Sequence, residues 1–201
     1  MSRLSENGTL RESSGSGPPS AEFSIEERRI LLGIAHQSIL SAFSGGAAEA
    51  APSPHLSDPR GVFTTLYLYG DLRGCVGYAM PVTPLHRAVW ETARAAAFED
   101  SRFLPVTEEE APRVEVSLSV LSRLFPIQAE EVEVGRHGLV VCLGARRGLL
   151  LPQVPVENDW DRETFIEQTC RKAGLPLDAW RKGATLEAFT AEVFGDGDLL
   201  S

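Results

Sequence analysis

The chain has 201 residues, 43% of them hydrophobic, and carries 28 acidic against 19 basic side chains for a formal charge of -9. That length suits one sizeable core or two small lobes, and the negative field repels phosphate backbones, which excludes non-specific nucleic-acid binding. No run approaches the ~18 apolar residues of a membrane span, and the N-terminal stretch lacks the apolar segment of a secretory signal, so a soluble cytoplasmic protein without membrane contact is expected.

Residues 1–22 are rich in Ser, Gly, Pro and charge and are expected to form a disordered tail, leaving one domain over 23–198. Ser24 and Glu27 have the spacing of a capping box, and Ile30, Leu31, Ile34 and Ile39 continue it at helical spacing to about residue 43. "VFTTLYLYGDLRGCVGYAM" reads as a hairpin turning at Gly70. Alternation through a two-residue turn places Arg73, Cys75 and Gly77 on one face with Thr64, Leu66 and Leu68. Phe63, Thr65, Tyr67, Val76 and Tyr78 then form the core face.

Thr83 and Pro84 start a second helix that runs to about Phe98. "RVEVSLSVLS" alternates as a half-buried strand, and "LVVCLG" and "LLLPQV" form a short strand pair. Asp161 caps a third helix that ends at Gly174, and one last strand covers about 185–194. Hairpins without regular strand-helix-strand alternation point to an α+β fold, a largely antiparallel sheet flanked by helices.

Cys75, Cys142 and Cys170 are odd in number and far apart, which argues against a disulfide framework or a structural zinc. The four histidines show neither H-x-H nor H-x-x-x-H spacing, so no metal and no other cofactor is expected.

Leu72, Arg73, Gly74, Cys75, Val76 and Gly77 resemble the signature run of the AMMECR-one domain family, with Val76 in place of isoleucine. "DSRFLPVT", "VEVSLSVL", "GRHGLVV", "RGLLLPQV" and "AGLPLDAW" follow in the family's order, so the resemblance covers about residues 23–195. It implies a bilobed α+β domain with a smaller second subdomain and the signature near a cleft. It also implies similarity to protein A of the AmmeMemoRadiSam system, with Memo-like and radical-SAM proteins as partners. The chain has no C-x-x-x-C-x-x-C cluster motif, so such partners are separate chains.

Two functional readings follow. In the first, the chain is a small enzyme or enzyme component that binds an anionic or carbonyl-bearing small molecule. Cys75 is its candidate nucleophile, Arg73 the electrostatic clamp, and His86 or His137 the acid/base. Gly74, Gly77, Asp100, Arg102 and Glu115 are candidate binding positions, Glu115 also being a possible ion-pair partner of Arg73. In the second, Cys75 is a small packed thiol, Arg73 belongs to a structural ion pair, and the domain is a binding or scaffold module for a Memo-like or radical-SAM partner.

Overall fold

In the computed structural model of the protein, residues 21–46 and 53–199 are described, so all but the last two residues of the expected tail lie outside them. The chain runs α1 (Ile25–Ser44), β1 (Val62–Leu68), β2 (Asp71–Tyr78), α2 (Leu85–Phe98) and β3 (Glu115–Leu121) into a second lobe. That lobe holds β4 (Phe125–Pro126), β5 (Gly138–Leu143), β6 (Arg146–Leu150), α3 (Gln153–Glu157), α4 (Arg162–Lys172) and β7 (Thr185–Phe189), after which β8 (Ala191–Gly195) returns to the first. Two antiparallel four-stranded sheets result, ordered β2-β1-β3-β8 and β4-β7-β5-β6. The α+β class follows directly.

Helix α1 begins at the expected capping box, where the Ser24 hydroxyl accepts the Glu27 N–H and the Glu27 carboxylate accepts the Ser24 N–H at 3.0 Å. Helix α2 packs on β1 and β2, and α1 on α2 and β3. Val62, Thr64 and Leu66 face this helix layer with no exposed surface. Thr64 and Thr92 satisfy one another's buried hydroxyls at 2.8 Å, and the Thr92 hydroxyl also lies within hydrogen-bond reach of the Ala88 carbonyl. Alanines at 88, 93 and 96 let α2 approach closely. In the second lobe α4 packs on β5 and β6.

The run over 185–194 is not one strand. It breaks at Thr190, and its two halves lie in different sheets. The chain leaves the first sheet at Ser122 beside this break: Ser122 N–H donates to the Thr190 carbonyl at 2.8 Å, and Thr190 N–H donates to the Ser122 hydroxyl at 3.0 Å. These two crossings form the waist between the lobes. The strand expected through "LLLPQV" also ends early, at Leu150, and Gln153–Glu157 is helical.

The hairpin turn is as expected, with Tyr69 and Gly70 both at positive φ, 55° and 87°. The faces are not. Leu68 pairs with Asp71 and Tyr67 with Leu72, but Leu66 pairs with Gly74, so Arg73 is an extra residue in β2. This bulge reverses the parity that a two-residue turn would impose. Cys75 is therefore opposite Thr65, and Gly77 opposite Phe63. Gly74, Val76 and Tyr78 face α2 together with Val62, Thr64 and Leu66.

Candidate functional site

The sheet face that carries Cys75 is the one opposite α2. Across it, Cys75 pairs with Thr65 and Thr65 with Ser117; in the next row Gly77 pairs with Phe63 and Phe63 with Ser119. Small polar side chains therefore floor this face. Cys75, Thr65, Ser117 and Ser119 are all half-buried. The Thr65 hydroxyl donates to the Cys75 sulfur at 3.4 Å. Phe63 meets the second lobe, packing against the cluster of Leu121, Val140 and Phe189.

β2 is an edge strand, and the Cys75 N–H and C=O point to its open side, away from β1, where they need polar partners. Asp100 and Arg102 supply them. The Asp100 carboxylate accepts the Cys75 N–H at 2.9 Å, and the Arg102 guanidinium donates to the Cys75 carbonyl at 3.2 Å. The two side chains pair with each other at 2.7 Å. Arg102 holds the Asp100 carboxyl well below the usual carboxylate range, against the opposing effect of burial, and the Cys75 and Arg102 N–H groups add to it. The Asp100 hydrogen bond in turn pushes the Arg102 pKa up. Asp100 is 7% exposed and Arg102 56%, so the positive end of the pair faces outward.

Arg73 is used differently. Its guanidinium donates to the carbonyls of Leu104 at 2.7 Å and Pro105 at 3.2 Å and pairs with Glu110 at 3.0 Å. Glu110 also accepts the Thr107 N–H, the first cause of its lowered pKa, with Arg73 second. The expected partner Glu115 is therefore corrected to Glu110: Glu115 is exposed at the start of β3, opposite Tyr67. Thr107 and Glu110 stand out in sequence as a capped turn, but nothing there ties that turn to Arg73.

Gly74 and Gly77 are tight for packing reasons. A methyl group at Gly74 would lie 2.1 Å from the Ala96 carbonyl oxygen, and one at Gly77 would lie 2.3 Å from the Phe63 ring. The Phe63 ring therefore lies directly over Gly77.

Neither histidine is a hydrogen-bond partner of Cys75. His86 Nδ1 lies 3.0 Å from the Leu56 carbonyl, which makes it the donor there. His137 is 6% exposed, accepts the Glu133 N–H at Nδ1 and meets the Phe125 ring edge-on; burial pushes its pKa down. Cys170 is fully buried, and burial pushes its thiol up. Cys142 is half-buried opposite Arg147. Among the described residues no group of three His, Cys, Asp or Glu side chains is placed to hold a metal ion, and no helix is long and apolar enough to cross a membrane.

A cavity of about 970 Å³ lies between the lobes. Ser119 and Val193 of the first sheet form one side of it, and Arg136, Pro152, Gln153 and Val156 the other. From Cys75 to Ser119 is two strands across and one pleat repeat along, or roughly 12 Å.

Residues 32–194 match the AMMECR1 family. The chain belongs to the AMMECR1 family. It is 39% identical over 186 residues to Protein MK0488 of Methanopyrus kandleri, covering 86% of this chain and 90% of that one. A protein of Thermococcus gammatolerans is 42% identical over 179 residues, covering 82% and 87%. The crystal structure of the uncharacterized protein PH0010 from Pyrococcus horikoshii superposes with a TM-score of 0.61 at 38% identity, covering 82% of this chain and 89% of that one. AMMECR1 membership thus rests on most of the domain and extends well beyond the signature run.

Proposed function

We propose that the face of the first sheet opposite α2 binds an anionic or carbonyl-bearing small molecule, with the Cys75 thiol as the contacting nucleophile and Arg102 as the positive group beside it. One observation carries this reading: Cys75 holds its sulfur on a floor of small polar residues while both of its backbone polar groups are clamped by the Asp100–Arg102 pair. A thiol so fixed loses little further freedom on meeting a ligand, which favours reaction. With a carbonyl compound the sulfur bonds to the carbonyl carbon and the thiol proton ends on the carbonyl oxygen, giving a hemithioacetal. Arg102 takes the clamp role that the sequence suggests for Arg73, whose donors are committed to Leu104, Pro105 and Glu110. His86 and His137 are likewise held by other partners, so solvent carries the proton.

The test compares a charged with a neutral alkylating agent on the full chain. Iodoacetate is expected to react faster relative to iodoacetamide at Cys75 than at Cys142, and Arg102→Gln is expected to remove that preference. An equal ratio at both cysteines would sink the reading.

A second reading, a docking module for a Memo-like or radical-SAM protein, is favoured by the apolar side chains around the Arg73 clamp: Tyr69 is 75% exposed, Leu72 43% and Leu104 83%. Arg73 binds the Leu104 backbone directly, so the signature strand would hold this surface in shape. In that case Cys75→Ser leaves partner binding intact while Leu104→Asp abolishes it.

A further inference from the structure

Arg60, just ahead of β1, is a charged side chain almost entirely withdrawn from water, 5% exposed. Its guanidinium forks onto Glu22, with Nη1 3.4 Å from one carboxylate oxygen and Nη2 against the other. Its Nε–H has no hydrogen-bond partner among the described residues. A buried guanidinium donor left unpaired is costly and points to an absent acceptor.

Arg60 also lies where two cavities meet. One, about 590 Å³, is lined by Glu22, His55, Arg123, Phe125 and Thr190; the other, about 160 Å³, by Gly61, Met80 and Leu124. Glu22 lines the large interlobe cleft as well, so the three spaces adjoin around this ion pair at the waist.

Glu22 reaches Arg60 from a short strap ahead of α1. Its own N–H donates to Glu192 at 2.7 Å, and Phe23 is buried next to it, stacked on His55 at 5.0 Å. Those contacts hold the strap through its backbone and through Phe23. The Glu22 side chain, whose carboxylate also lies 3.6 Å from His55 Nε2, is 36% exposed and can turn toward water from this strap.

We infer that Arg60 is the anchor of a binding site for a small carboxylic acid with an apolar body, and that Glu22 is the built-in carboxylate that fills it when no ligand is present. A guanidinium fork matches a carboxylate through two parallel hydrogen bonds. Leu124 and Phe125 supply an apolar wall for the rest of the molecule. Phosphate fits poorly. The neighbouring cation Arg123 is already paired with Asp58, and Glu27 sits on His55 at 2.7 Å, so a second negative charge would meet carboxylates. The site is independent of Cys75.

The experiment titrates the full-length chain, labelled with nitrogen-15 and carbon-13, with phenylacetate and follows the Arg60 Nε–H resonance, with inorganic phosphate and 2-phenylethanol as controls. Phenylacetate is expected to shift that resonance saturably, the controls are not, and Glu22→Gln is expected to bind about tenfold more tightly because the tethered competitor is gone. In the wild-type chain the Glu22 carboxyl carbon resonance is expected to move with the same midpoint, which keeps the test decisive if the variant folds poorly. No movement of Arg60 with phenylacetate, an equal response to phosphate, or equal affinity with and without the Glu22 carboxylate overturns the inference. Cys75→Ser is expected to titrate as the wild type does, so failure here is separable from failure at Cys75.

Discussion

Asp100 accepts the Cys75 N–H at 2.9 Å and at the same time pairs with Arg102 at 2.7 Å, whose guanidinium closes the loop onto the Cys75 carbonyl at 3.2 Å. One acid and one base thus finish an edge strand at the residue that carries the signature thiol. The same contacts protect the strand from pairing with another chain.

Asp100 binds protons less readily folded than unfolded, so its stabilisation is fully present above the ordinary aspartate pKa of about 4 and is lost as pH falls toward the folded value. Asp100→Asn is expected to cost about 2 kcal/mol near neutral pH, from weakened charge-assisted hydrogen bonds. Urea melts at several pH values check this: the gap between wild type and variant should shrink below pH ~4.

Gly74→Ala is expected to lower stability by roughly 3 kcal/mol, because its methyl group would meet backbone at Ala96 and not a movable side chain. Thermal denaturation reads the loss. A silent Gly74→Ala would mean that α2 does not sit where it is described.

Arg73→Met should release the 104–110 loop and cost about 2 kcal/mol through three lost charged hydrogen bonds. A double-mutant cycle with Glu110→Gln should show coupling of about 1 kcal/mol, and the same cycle with Glu115→Gln none.

His137 binds protons less readily folded than unfolded. The unfolded chain therefore takes up a proton first, and stability from this group is present above the ordinary histidine pKa of about 6.5 and declines as pH falls below it. Protonating Nδ1 would also break its bond from the Glu133 N–H. His137→Phe is expected to flatten the stability profile between pH ~5 and ~7, measured by urea midpoint.

Much of the fold was legible locally. The Ser24–Glu27 box, the alternation from Val114 to Val120, the turn at Gly70 and the left-handed Gly174 each depend on a few neighbouring residues, and each stands where its pattern points. What was not legible depends on distant partners. The bulge at Arg73 exists beside a loop thirty positions on, which no hairpin pattern contains, and it turned the Cys75 face over. Thr190 interrupts a run whose β pattern is continuous, because alternation cannot say which sheet a strand joins. Asp100 and Arg102 were visible as a polar pair in a loop, but not their grip on Cys75. No local pattern marks Arg60, and Glu22 ends the polar run of the N-terminal tail, although its carboxylate is bound.

The most direct test of the Cys75 site is the rate at which iodoacetamide modifies each thiol of the native chain at neutral pH, followed by peptide mass spectrometry. Cys75, half-buried on the face opposite α2, is expected to react first, Cys142 more slowly and Cys170 only on unfolding. Equal, slow labelling of all three, or Cys142 reacting ahead of Cys75, would contradict a reactive thiol on that face.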